Sequence, residues 1–240
     1  FPLWSLEERA ATVTAIRDLF IGESIGSPHQ ITDAADRAWQ RTNPLRLLWS
    51  HVALSASIGA IEMAMWDALG KHRAESVWKI LGGTALDAPL YAVGFGGSPD
   101  QVANAAASAI ADGFRTVKVR VGFDPAADER LVRTVSDRVG GGVLVDANMG
   151  WTRDEAASMA ARLEPFQLGW LEEPLSRDDL EGYRILRGST RIPLAAGENC
   201  YTEGELIALA ESGLVDVVMP DLARVGGLAA AITGARAARA

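Results

Sequence analysis

Three carboxylates stand at equal steps along the second half of the chain, each behind a strongly apolar run: Asp146 after GVLV, Glu172 after LGWL and Glu198 after IPLAAG. Carboxylates that converge on one face repel one another and hold their protons more tightly. A divalent cation relieves that repulsion, and an all-oxygen donor set suits a hard ion, Mg²⁺ first and Mn²⁺ second. Taken singly, each is described equally well as an acidic residue ending a strand in a solvated loop. Three at one spacing favour the metal reading. Arg120 ahead of them and Asp221 behind continue the series, with steps of 26, 26, 26 and 23 residues.

A near-constant step implies one supersecondary unit repeated around an axis. The elements that would carry it are visible. Short apolar runs occur at PLYAVGF (89–95), RTVKVRV (115–121), GVLVDAN (142–148), LGWLEEP (168–174), IPLAAGEN (192–199) and VDVVMPD (215–221). Amphipathic stretches near 99–112, 125–138, 153–164, 178–187, 202–212 and 226–238 separate them. Strands alternating with helices predict a parallel sheet. Six such units fit either an open doubly wound sheet or part of an eightfold barrel. The even placement of charged groups at strand ends, and the lack of a G-x-G-x-x-G turn or P-loop, favour the barrel, whose C-terminal rim is where active sites lie.

Before residue 85 the texture is helical. Leu6–Phe20 carries apolar residues at helical spacing, and Pro28 marks a turn after it. Ser55–Leu69 is the clearest helix, with Ile58, Ile61, Met65 and Ala68 on one stripe and Gly70 as the expected cap. VWKILGG (77–83) supplies a short helix and a break. Met63, Met65 and Trp66 are expected in the core, and Trp49, Trp151 and Trp170 either line a pocket or pack the barrel. His29, His51 and His72 all precede the barrel and read as loop or packing residues.

The chain of 240 residues carries a formal net charge of -8, which argues against a nucleic-acid or membrane-surface partner, both of which need a basic footprint. It does not exclude an anionic substrate, because a bound cation reverses the local sign. The single cysteine, Cys200, rules out an internal disulfide and fits a cytoplasmic setting. It has no nearby histidine in sequence and is assigned no role. No uninterrupted apolar run reaches the ~18 residues of a membrane span.

The motifs VDAN (145–148), LEEP (171–174), GEN (197–199) and MPDLARVGG (219–227), in this order and spacing, resemble those of the enolase superfamily, mandelate racemase and muconate lactonizing enzyme type, mandelate racemase subgroup. AIEMAMWDALGK (60–71) and ILGG (80–83) resemble that family's capping domain and its junction with the barrel. The resemblance implies a partial capping domain over 1–85, the helical part of an α+β unit, and a partial (β/α) TIM-type barrel over 86–240. It implies Mg²⁺ held by Asp146, Glu172 and Glu198, with Glu173 touching a ligand rather than the metal. Lys118 and Asn148 would face the substrate, and Asp221 would orient a histidine on the seventh strand.

The shared chemistry of that family is abstraction of the proton alpha to a carboxylate, giving an enediolate. This sequence departs from the family at Arg120, where the second lysine of a K-x-K pair is the usual base. Arginine stays protonated and makes a poor base. It suits a forked grip on a substrate oxygen, or a rim salt bridge to a neighbouring metal-site carboxylate. The seventh-strand histidine would lie beyond Ala240. With Arg120 on one face and an Asp221–histidine pair on the other, one-face dehydration of a sugar acid to a 2-keto-3-deoxy acid is expected. A racemase or epimerase, a cycloisomerase and a non-catalytic metal-binding paralogue are the alternatives. A barrel takes ~250 residues, so the chain is expected to be longer at both ends. A homo-oligomer is expected from the family.

Overall fold

Most of the long helices in this chain start at side-chain caps. The computed structural model describes residues 5–42, 44–45, 50–84 and 87–239. Trp49 and the expected 85/86 domain boundary lie outside them. Ser5 opens α1 (Leu6–Arg17) with a reciprocal box to Glu8, Ser27 opens α2 (Pro28–Gln40), and Ser50 opens α3 (His51–Arg73). A short α4 (Val77–Ile80) follows. Pro28 therefore begins a helix rather than marking a turn. Its missing N–H costs nothing at the first helical position. Gly70 does not end α3 either. The helix runs on to Arg73 and closes on Ala74 in the left-handed conformation (φ 50°). Gly70 is buried within it, and a side chain is excluded there because a Cβ would stand 2.9 Å from Glu75 O.

The chain forms two compact units, one of Phe1–Leu86, Glu198–Glu211 and Pro220–Ala240, the other of Asp87–Gly197 and Ser212–Met219. In the first, α1 and α2 both pack on α3. Ile16, Ala35, Leu54 and Ile58 form one cluster, and Ile31, Ala34, Met65, Trp66 and Leu69 another. α3 is long and apolar enough to cross a membrane by length and composition, but more than half of that stretch is buried within the protein. His51 stacks edge-on against Trp39 at 4.8 Å, and His29 lies beside Asp33 on the exposed side of α2, both as packing or surface residues.

The second unit holds a five-stranded parallel sheet in sequence order: β1 (Val117–Arg120), β2 (Val143–Asp146), β3 (Trp170–Glu172), β4 (Leu194–Ala196) and β5 (Val217–Val218). α5 (Pro99–Ala111) precedes β1, and α6 (Pro125–Val139), α7 (Arg153–Leu163) and α8 (Leu180–Ser189) run between successive strands from β1 to β4. β2 and β4 are buried throughout, as strands covered on both faces must be. The first of the six expected strands is reduced to a single bridge, Ala92 to Val117. Pro89 lacks the donor that would extend it backward, and Gly94, at φ 92°, turns the chain away after it. Two further helices, α9 (Glu203–Glu211) and α10 (Leu228–Ala237), belong to the first unit and pack on each other.

Register explains what the equal steps mean. Arg120 is the Cα partner of Asp146, and Asp146 of Glu172, so three charged residues lie side by side at the C-terminal ends of β1, β2 and β3. The row continues to Ala195 and Val217 rather than to Glu198 and Asp221. β4 ends at Ala196 and β5 at Val218, so Glu198 and Asp221 are loop residues beyond their strands, not strand ends.

Candidate active site

In the second unit the site is built around one ammonium group. Lys118 Nζ donates to both oxygens of Glu172, at 2.9 and 3.0 Å, and stands 3.3 Å from Asp146 Oδ2. Both carboxylates are about 1% exposed. Burial alone pulls the Lys118 pKa down, but its hydrogen bond to Glu172 and the charges of Glu172 and Asp146 outweigh that and hold it above the ordinary value. For Glu172 burial is the largest cause and raises the carboxyl pKa. The Lys118 hydrogen bond works against it, Asp146 adds to it, and the net direction is upward.

Aromatic groups wall the ammonium. Tyr91 presents its ring 5.6 Å from Lys118 Nζ and meets Trp170 edge-on. Trp170 Nε1 donates to Glu172 Oε2 at 3.1 Å, so this tryptophan touches the site, whereas Trp151 donates to Asp128 at 3.2 Å and is a packing residue. Arg120 reaches across to Asp146 Oδ2 at 3.0 Å with its side chain nearly half exposed, which is the rim salt bridge. Asn148 N donates to Asp146 Oδ1 at 2.9 Å, closing a tight turn in which Asn148 and Met149 both adopt positive φ. Glu173, buried and at φ 40°, donates its N–H to Ala195 O, and its carbonyl accepts from Met149 N. Strained backbone of this kind gathers where a loop must hold a functional side chain in place.

The first unit carries the other two predicted residues. Glu198 stands 3.7 Å from Arg224 Nη1 through its Oε1, and Asn199 Nδ2 donates to the same oxygen at 3.5 Å. Asp221 accepts from Ala223 N at 2.8 Å and pairs with Arg224 Nε at 3.2 Å. No group of three metal-ligating side chains occurs among the described residues, and Asp146 and Glu172 are joined by a lysine rather than by a third acid. Residues that the sequence reading left out are Tyr91 and Arg224. Tyr91 sat in plain view in an apolar run. Arg224 was signalled by the Asp-x-x-Arg spacing inside MPDLARVGG.

The side chains gathered here offer carboxylate oxygens, and the acidic pair already sits around a cation, so the donor chemistry fits a hard divalent ion.

Comparison with known proteins matches residues 101–240 to the family described as enolase C-terminal domain-like. D-galactarolactone cycloisomerase of Agrobacterium fabrum is 32% identical over 179 residues, covering 71% of this chain and 47% of the relative. D-gluconate dehydratase of Thermoproteus tenax is 30% identical over 250 aligned positions, covering 95% and 48%. The crystal structure of a racemase from Streptomyces coelicolor A3(2) with bound magnesium superposes with a TM-score of 0.88 at 29% identity, covering 99% of this chain and 66% of that one. The chain thus spans about half the length of the curated relatives it matches. The parallel sheet with acidic strand ends is the part of the (β/α) barrel that the chain covers, and the chain belongs to the enolase C-terminal domain-like family, of the mandelate racemase and muconate lactonizing enzyme type.

Proposed function

We propose that the protein to which this chain belongs is a Mg²⁺-dependent enzyme that removes the proton alpha to a carboxylate, and that its reaction is dehydration of a sugar acid to a 2-keto-3-deoxy acid. The observation that carries the reading is the buried Lys118–Asp146–Glu172 cluster, two carboxylates gathered around one cation at adjacent strand ends. Asp146, Glu172 and Glu198 would hold the metal. When bound, Mg²⁺ supplies positive charge against which a substrate carboxylate can accumulate negative charge as its alpha proton leaves.

The chain's own residues have distinct parts in this reading. Lys118 adds a permanent positive charge beside the same carboxylate, since its raised pKa keeps it protonated. Tyr91 and Trp170 shield that charge from water, which strengthens it. Asn148 holds the Asp146 carboxylate through its backbone and would face the substrate with its side chain. Arg120 cannot accept a proton and is engaged with Asp146, so it would orient substrate rather than act as base. Asp221 would orient a histidine that acts on the alpha proton. A carboxylate has room for another donor beside Arg224 and Ala223.

Relatives named dehydratase and cycloisomerase both support the carboxylate chemistry, and the Arg120 replacement is what favours dehydration. The test is an assay of the full-length protein with Mg²⁺ against a panel of sugar acids, scoring 2-keto-3-deoxy products. EDTA-sensitive product formation, abolished in Asp221→Asn, is expected. Turnover to an epimer or a lactone-derived product with no keto acid would overturn the dehydration reading. Full dehydration activity in Asp221→Asn would remove Asp221 from the mechanism.

A further inference from the structure

We propose that Arg224 is a positioning residue that holds Glu198 and Asp221 in one polar network, and that α3 fixes it in place. The inference rests on the reading of Glu198 as a metal ligand. Arg224 is three-quarters buried and engages several acceptors at once. Its Nη1 donates to Asn199 Oδ1 at 2.6 Å and to Glu198 O at 3.4 Å, while Nε lies 3.2 Å from Asp221 Oδ2. Asn199, itself buried, is the hub: its Oδ1 also accepts from Tyr201 OH at 3.2 Å, and its amide nitrogen faces Glu198 Oε1. A planar guanidinium can serve acceptors on two loops in fixed directions, which a lysine cannot do.

The network is anchored from behind. Ser55 Oγ lies 2.6 Å from Tyr201 O and 3.0 Å from Arg224 O, so one hydroxyl hydrogen is shared by the loop that follows β4 and the loop that follows β5. One turn on, Gly59 lets α3 approach the second loop, since a Cβ there would stand 2.7 Å from Gly227 N and 2.8 Å from Gly226 C. A turn further, buried Glu62 accepts from Leu228 N at 2.9 Å and Ala229 N at 3.1 Å, capping α10, and from Trp66 Nε1 at 2.6 Å. Ser55, Gly59 and Glu62 follow helical spacing and form one face of α3. That face sets the backbone from which Arg224 reaches Glu198 and Asp221.

Partners of this kind commonly contribute 10- to 100-fold to metal affinity by orienting a ligand. The experiment is Mn²⁺ binding to the full-length protein, read by electron paramagnetic resonance, for wild type, Arg224→Met, Arg224→Lys and Ser55→Ala. We expect about a tenfold weaker Mn²⁺ affinity in Arg224→Met, partial rescue by Arg224→Lys and a smaller loss in Ser55→Ala. The urea midpoints of the metal-free Arg224→Lys and wild-type proteins should coincide, which a merely structural role would not give together with weaker binding. Should Arg224→Met not fold, Arg224→Lys and Ser55→Ala carry the same comparison. Wild-type affinity in those variants overturns the proposal. A wild-type protein that binds no Mn²⁺ overturns the metal reading instead.

Discussion

The two acidic groups of this chain are built in opposite ways. Asp146 and Glu172 sit on strand ends in register, almost wholly buried, neutralised by a lysine from the neighbouring strand. Glu198 and Asp221 sit on loops past the strands, about a quarter and a third exposed, held by an arginine whose backbone is fixed by a helix. The first group inherits its geometry from the sheet, which permits one placement. The second has to be held by hydrogen bonds. Loop-held side chains of the second kind are the ones a scaffold can vary without disturbing its sheet.

The largest effect expected from breaking this contrast is in the rigid group. Lys118→Met leaves Glu172 buried without its cation and Asp146 with only the half-exposed Arg120, and should cost about 3–5 kcal/mol in metal-free protein. Urea unfolding should show Mg²⁺ recovering more stability in that variant than in wild type. An equal gain in both would mean that the acids do not share a cation.

Next in size is the anchor of the adjustable group. Glu62→Ala strips three donors of a buried acceptor and should cost about 3 kcal/mol. Glu62 also gives a pH signature. Burial raises its pKa, and the capping N–H groups and Trp66 only partly offset this. A carboxyl raised in the folded state stabilises the protein below its unfolded pKa and loses that contribution as pH rises through the folded value. The stability of wild type relative to Glu62→Gln should therefore fall as pH rises from the ordinary glutamate range. A difference that grows with pH would contradict the burial argument.

Gly59→Ala comes third. In an exposed helix interior this change gains up to ~1 kcal/mol. Here the added methyl meets backbone, so a loss of about 1–3 kcal/mol is expected by thermal unfolding. The smallest effect belongs to Arg120→Met. Its half-exposed ion pair should contribute less than about 1 kcal/mol to stability. Its consequence should be seen in kcat/KM for the acid substrate instead.

The contrast also sets what could be read from the sequence. The rigid group was legible because a 26-residue step equals one strand–helix–strand unit and so preserves register from Arg120 to Glu172. The same step failed between Glu172 and Glu198 because the β3–β4 register advances by 23, from Glu172 to Ala195. Helices α5 to α10 fell close to their expected ranges because caps such as Ser98, Asp124 and Thr152 are local signals. Gly70 misled because a glycine needed for a close approach looks the same in sequence as a glycine that ends a helix. The Asp221–Arg224 pair has a local signal, but the anchoring of Arg224 by Ser55, 169 positions away, has none.

The most direct test of the central claim is anomalous diffraction from crystals of the full-length protein grown with Mn²⁺. One strong peak is expected, with carboxylate oxygens of Asp146, Glu172 and Glu198 at about 2.1 Å, the spacing of an octahedral oxygen site. Absence of a peak between those residues at saturating Mn²⁺, or a peak held by other side chains, would contradict it.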